Sequence, residues 1–223
     1  MADIISVYGK LLLEAMGQTL IMAFYSLIFA SIIGLIFGML SVLKSKVCNV
    51  IAQIFVDIIR GVPMIVLAFF VFFGIPYALK NFLHSTFTFT ALQAGIICLS
   101  LNCGAYMSEI IRAGIQSVDV GQMEAARSLG IPYWKAMHKV VLPHAIRTMI
   151  PSIINQFIIT LKDTSILSVI GFPELVNAAQ NVIAINFKSF QVWFLVGLMY
   201  LIVITILSKI AKALERRMNR GRK

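Results

Sequence analysis

The chain has 223 residues, of which 60% are hydrophobic and only 13% charged, and its mean hydropathy is +0.92. This balance excludes a water-soluble domain, whose surface needs far more polar side chains, and makes lipid the solvent for most of the protein. The formal net charge of +10 is therefore read for membrane topology rather than for nucleic acid, because Lys and Arg accumulate in cytoplasmic segments.

A helix needs roughly 20 apolar residues to cross a hydrocarbon core of about 30 Å. Stretches free of Asp, Glu, Lys and Arg cover 15–43, 61–79, 81–108 and 189–208, and a weaker run, 148–161, stops at Lys162 and Asp163. They predict an all-α membrane protein with about five transmembrane helices, near 17–43, 61–80, 88–112, 146–167 and 189–209, in one transmembrane domain over 1–223. The first run is too long for the core of a secretory signal, and Asp3 and Glu14 precede it instead of a basic segment, so it is taken as an uncleaved span.

Charge placement sets the expected orientation. With the N-terminus outside, the cytoplasmic side holds Lys44, Lys46 and Arg60, the stretch from Arg112 to Arg147, and a tail carrying Lys209, Lys212, Arg216, Arg217, Arg220, Arg222 and Lys223. Only Lys10, Lys80, Lys162 and Lys188 remain for the other side. Removing the weak fourth span would divide these clusters between both faces, so the charge bias supports it.

Between the third and fourth spans lies a loop at about 113–145, too long for a simple connector. Asp119 with Gln122 has the pattern of a capping box and starts a helix near Val120. Gly130, Ile131 and Pro132 stop it after about three turns. Pro132 then opens a second short helix carrying Tyr133, Trp134, Met137 and Val140, expected to end at Leu142 because Pro143 follows.

Within that loop, Glu124-Ala125-Ala126, Gly130 four residues on, and Leu142-Pro143 form one spacing. Glu-Ala-Ala alone is ordinary helix sequence, but the full pattern resembles the Glu-Ala-Ala loop of ABC importer permeases and departs from it only at Val140, where the family has Ile. The resemblance extends to the polar amino-acid uptake permeases of the histidine, glutamine and arginine type through Arg60-Gly61-Val62-Pro63, through Ala105 to Ile115 and through Leu161 to Leu167.

Membership implies a type I importer fold in a bacterial cytoplasmic membrane. It implies a coupling helix around Glu124, Ala125, Ala126 and Gly130, with Leu142 and Pro143, seated in a separate cytoplasmic ATPase dimer that uses ATP and Mg. The other implied partners are a second permease subunit, identical or homologous, and an extracytoplasmic solute-binding protein that delivers a polar amino acid. Import of another small polar solute such as an opine remains an alternative, as do an ion-coupled carrier or channel and a membrane anchor for a cytoplasmic partner.

Other polar positions are read from the residues themselves. Lys162 falls roughly 22 Å along an ideal helix from Arg147, in the outer half of the membrane. With Asp163, Thr164 and Ser165 it offers a cation for a substrate carboxylate and an acid for its ammonium; the alternative is a helix end with Lys162 snorkelling outward. Asn102, inside the third span, lines the pathway or bonds a neighbouring helix. Asp57 with Arg60, and Glu109 with Arg112, are spaced as local ion pairs; the family resemblance implies that they help anchor the loop that transmits ATPase motion. Gly171, Pro173 and Glu174 suggest a new helix start on the outer side, with about 172–185 forming a short helix or a re-entrant piece.

The sequence has no metal-ligand spacing around Cys48, Cys98 and Cys103, no nucleophile arranged with a base, and no Gly-x-x-x-x-Gly-Lys-Ser/Thr phosphate loop. The chain is expected to be non-catalytic, to bind no cofactor or metal itself, and to leave ATP hydrolysis to its partner.

Overall fold

The computed structural model describes residues 2–219, so Arg220, Arg222 and Lys223 of the basic tail, and the side chain of Arg217, lie outside what is described. The described residues form helices and no strands: α1 (Ala2–Leu40), α2 (Lys46–Gly61), α3 (Met64–Leu83), α4 (Ala91–Gln116), α5 (Val120–Ser128), α6 (Tyr133–Ile170), α7 (Leu175–Asn186) and α8 (Ser189–Asn219). Five of these, α1, α3, α4, α6 and α8, are long and apolar enough to cross a bilayer. With one crossing each, the start of the connection after α1 at 41–45, the connection at 117–132 and the C-terminus share one end, here called the basic end.

The helix that carries the first span begins at Ala2, and its 39 residues extend about 58 Å, nearly twice the hydrocarbon core. The added turns stay helical because Ile4, Leu12, Ala15 and Met16 pack with Leu175, Val182 and Val192 of α7 and α8, while Lys10 and Glu14 pair at 3.8 Å on the exposed face.

The centre of the bundle is α4, and α1 crosses it closely. A Cβ at Gly34 would lie 2.5 Å from the Cβ of Met107, one at Gly38 would lie 2.8 Å from Ile111, and one at Gly104 would lie 2.7 Å from Ile33. Lipid tails are as apolar as Leu, so helices in a membrane associate through close packing and interhelical bonds rather than hydrophobic exclusion. Gly34 and Gly38, four residues apart, supply the first; Ser100, whose hydroxyl donates 3.2 Å to the Ser26 carbonyl, supplies the second.

Between the first two spans the chain forms a helix of its own, α2. Ser45 caps α2, which buries Ala52, Val56 and Ile59, one helical stripe. Phe55 stacks on Phe37 of α1 at 3.9 Å, and Ile59 packs in the same cluster as Leu99 and Ala105 of α4. The end of α2 therefore lies beside the body of α4, and α2 with α3 makes a broken helix interrupted at Val62 and Pro63, both extended.

The second short helix does not end at Leu142 either. Tyr133 to Ile170 is continuous, passing through Pro143 and Pro151. A π-helical turn at Met137–Val141 precedes Pro143, with the Leu142 N–H bonded to the Met137 carbonyl. That wider turn displaces the carbonyl against which a proline ring would clash in an α-helix. The same device, Phe70–Gly74, precedes Pro76 in α3.

Beyond α6, Gly171 turns the chain at φ 77° and Glu174 caps α7, accepting from the N–H groups of Val176 (2.8 Å) and Asn177 (2.7 Å). Tyr200 of α8 donates 3.3 Å to the same carboxyl, and the Leu175 N–H donates 3.1 Å to the Thr19 hydroxyl of α1. Glu174 is fully buried. Burial pushes its carboxyl above the usual range, opposed by the backbone N–H and Tyr200 bonds.

Candidate transport path and coupling helix

Where the α2–α3 break faces α4 and α6, the bundle holds a cavity of about 520 Å³ lined by Arg60, Gly61, Pro63, Asn102, Gln156 and Asp163 among others. Unwound backbone at bilayer depth is tolerated where it lines such a cavity, and broken helices with polar groups at that level mark solute sites in transporters. Toward the basic end a second cavity of about 500 Å³ adds Glu109, Ser117, Thr148 and Ser152. Arg60, Tyr106 and Gln156 line both.

A polar stripe on α6 runs through both cavities. Thr148, Ser152, Gln156 and Asp163 are spaced four, four and seven residues apart, which places them on one helical face. That periodicity is legible in the sequence and points to Ser152 and Gln156, which inspection of charged residues alone passes over.

Three charges meet between the cavities. Arg112 grips Glu109 with two bonds, 2.9 Å from Nε and 2.8 Å from Nη2. Arg60 reaches the same carboxylate from α2 at 3.6 Å and lies over the Tyr106 ring, 4.8 Å from its centroid. The local pair expected between Asp57 and Arg60 is replaced by this inter-helix one; among the described residues no ion pair joins Asp57 to Arg60. The end of α2 is buried against α4, which directs Arg60 toward Glu109.

The structure separates the five pathway candidates. Asn102 and Asp163 line the first cavity, with the Asn102 amide 3.8 Å from the Met64 sulfur. Lys162 is exposed and does not line it; Thr164 is fully buried and donates to the Leu161 carbonyl; Ser165 donates to the Lys162 carbonyl. The cation facing this cavity is Arg60, not Lys162, because adjacent helix positions point about 100° apart.

At the basic end, α5 stands between α4 and α6. Asp119 caps it by accepting from the Gly121 N–H at 2.6 Å, without the reciprocal Gln122 side-chain bond expected of a full box. Gly130 takes φ 76°, and the Ile131 N–H bonds the Ala126 carbonyl at 3.2 Å, a left-handed stop. Glu124 and Ala125 face outward, whereas Ala126 is 5% exposed and packs inward, so only Ala125 is open to a partner. Leu129 is 81% exposed just past the helix. Leu142 packs with the cluster around Ile115 and Met149, and Pro143 is exposed. Among the described residues no group of His, Cys, Asp and Glu is placed to hold a metal ion.

Comparison with known proteins shows the family to which the chain belongs. Residues 15–220 match the family described as binding-protein-dependent transport system inner membrane component. The glutamine transport system permease protein of Escherichia coli K12 is 37% identical over 208 residues, 93% of each chain. The arginine transport system permease protein of Bacillus subtilis 168 is 34% identical over 207 residues, 93% of this chain and 92% of that one. A crystal structure of an amino acid ABC transporter with histidines aligns with a TM-score of 0.86 at 33% identity, covering 94% of this chain and 95% of the other. An inward-facing methionine ABC transporter shares the fold, with a TM-score of 0.79 at 20% identity over 95% of this chain and 97% of that one. The chain belongs to the binding-protein-dependent transport system inner membrane component family and is a multi-pass membrane permease of an ABC transport system.

Proposed function

We propose that this chain is the non-catalytic permease subunit of an ATP-driven importer for a polar amino acid, with its basic end in the cytoplasm. The observation that carries this is the mid-membrane cavity in which Arg60 and Asp163 face one space from opposite elements. A free amino acid presents a carboxylate and an ammonium, and charge-assisted bonds from a guanidinium and to a carboxylate match the two. The glutamine and arginine permeases to which the chain is similar support the same solute class.

Delivery falls to an extracytoplasmic solute-binding protein, and the path forms with a second permease copy or homologue. The energy comes from an ATPase pair that closes on ATP and Mg. Glu124, Ala125 and the exposed Leu129 form the surface offered to it, and movement of α5 is passed through Gly130 to α6, which carries the polar stripe. ATP binding drives the change only to the extent that the closed ATPase contacts favour one permease state over the other.

The test is uptake of a panel of radiolabelled amino acids by the permease expressed with the ATPase and receptor encoded beside it. The expected result is receptor-dependent and ATP-dependent uptake of at least one polar amino acid, lowered about tenfold or more by Asp163→Asn, the effect of losing one charged hydrogen bond, with ATPase binding retained. Uptake that is unchanged by Asp163→Asn removes the assigned role of that residue. Uptake of another solute class alone overturns the amino-acid assignment.

A further inference from the structure

We infer that the Arg60–Glu109 ion pair is the barrier between the two polar cavities, an inner gate that a solute carboxylate opens by drawing Arg60 away from Glu109. This rests on the transport-path assignment above and adds to it the element that controls passage along the path.

The two cavities meet only at shared walls, Arg60 from α2, Tyr106 from α4 and Gln156 from α6. Glu109 stands on the far side of that boundary, lining the second cavity, and the Arg60 guanidinium bridges to it. A solute moving along the α6 stripe from the first cavity to the second passes beside this bridge.

The three charges are unequally held. Glu109 keeps two short bonds to Arg112, whereas Arg60 sits 3.6 Å away, beyond a direct hydrogen bond. When Arg60 leaves, Glu109 remains paired, so opening strands no carboxylate in the membrane. Arg60 in turn rests over Tyr106. A planar guanidinium over a ring face keeps its edge donors free for a carboxylate entering from the first cavity, where it replaces the weaker contact to Glu109.

Position favours movement as well. Arg60 is the penultimate residue of α2, next to the unwound Val62 and Pro63, so it lies where a small rotation of α2 about the break shifts it against α4. Glu109 and Arg112 lie within one uninterrupted helix and stay together. The pair thus has a fixed half and a mobile half.

Thiol accessibility tests the barrier itself. The complete transporter, with Cys48, Cys98 and Cys103 replaced by Ala, carries a reporter in the first cavity (Ile159→Cys) or the second (Thr148→Cys), in inverted membrane vesicles. Two membrane-impermeant methanethiosulfonates of opposite charge are applied from the basic end. Arg60→Gln and Glu109→Gln are expected to accelerate modification of Ile159→Cys by about tenfold, as for a shift in the closed population, with both reagents and with Thr148→Cys unchanged. Glu109→Asp keeps every charge and shortens the acid by one methylene. It is expected to move the rate in the same direction, and it serves if a Gln variant fails to assemble with the ATPase.

Equal rates across the variants overturn the gate. So do rates that move in opposite directions for the two reagents, which report a changed potential and no barrier. Labelling reads the barrier, and uptake by the same transporter reads the transport assignment, so the two fail separately.

Discussion

Arg60 and Glu109, 49 positions apart in sequence, meet at 3.6 Å between α2 and α4, and Glu109 also holds Arg112. Arg60 and Glu109 side chains are both partly exposed to the polar cavities they line, and at 3.6 Å they are beyond a direct hydrogen bond, so the contact contributes little to stability. A double-mutant cycle with Arg60→Ala and Glu109→Ala, read by thermal unfolding of the detergent-solubilised transporter, should give a coupling of about 0.2–1 kcal/mol. A coupling several times larger would mark the pair as structural rather than mobile.

Glu124 faces outward on α5 with no intramolecular ion pair among the described residues. Glu124→Lys should therefore leave the fold intact and lower recovery of the ATPase with the purified permease by about tenfold or more, the cost of placing a wrong charge in a docked interface. Undiminished recovery together with full uptake would remove Glu124 from the coupling surface.

Gly130 adopts φ 76° with open space around its Cα, so a substitution there meets backbone strain and no clash. Gly130→Ala should cost about 1 kcal/mol of local stability, and Gly130→Asn less, because Asn tolerates the left-handed region better. Uptake should follow the order Gly, Asn, Ala. Equal activity in all three would show that the angle between α5 and α6 does not matter for coupling.

Gly104 and Gly38 set the distance between α1 and α4. Gly104→Leu should cost about 1–3 kcal/mol or more through overpacking and reduce the yield of folded permease. Gly17, with open space around it, gives the control: Gly17→Ala should be tolerated.

Glu174, fully buried, caps α7 and accepts from Tyr200 of α8, next to the Leu175 N–H bond to Thr19 of α1. Its carboxyl is raised by burial, so the stability it contributes is fully present below the unfolded pKa and is lost as pH rises through the higher folded value. Glu174→Gln should flatten that part of the pH dependence of thermal stability while keeping one cap acceptor. Glu174→Ala should lower stability by about 0.5–2 kcal/mol, the usual cost of losing a cap. A pH profile unaltered by Glu174→Gln would exclude the carboxyl as its source.

The sequence by itself determined the lipid solvent, the five spans and the α5 helix with its stop at Gly130, because apolar runs, caps and a positive-φ glycine are local signals. The spacing from Glu124 to Pro143 was sufficient to indicate the family. Only the tertiary structure decided which polar groups face one another. Local rules paired Arg60 with Asp57 and joined Lys162 to Asp163, but packing of Ile59 against α4 turns Arg60 to Glu109, and helix rotation sends Lys162 outward while Asp163 faces the cavity. Likewise Pro143 reads as a helix end, but the π turn at Met137–Val141 precedes it and the helix continues through to Ile170. The path rests on partners distant in the chain, and distance along a sequence does not record which faces of which helices meet.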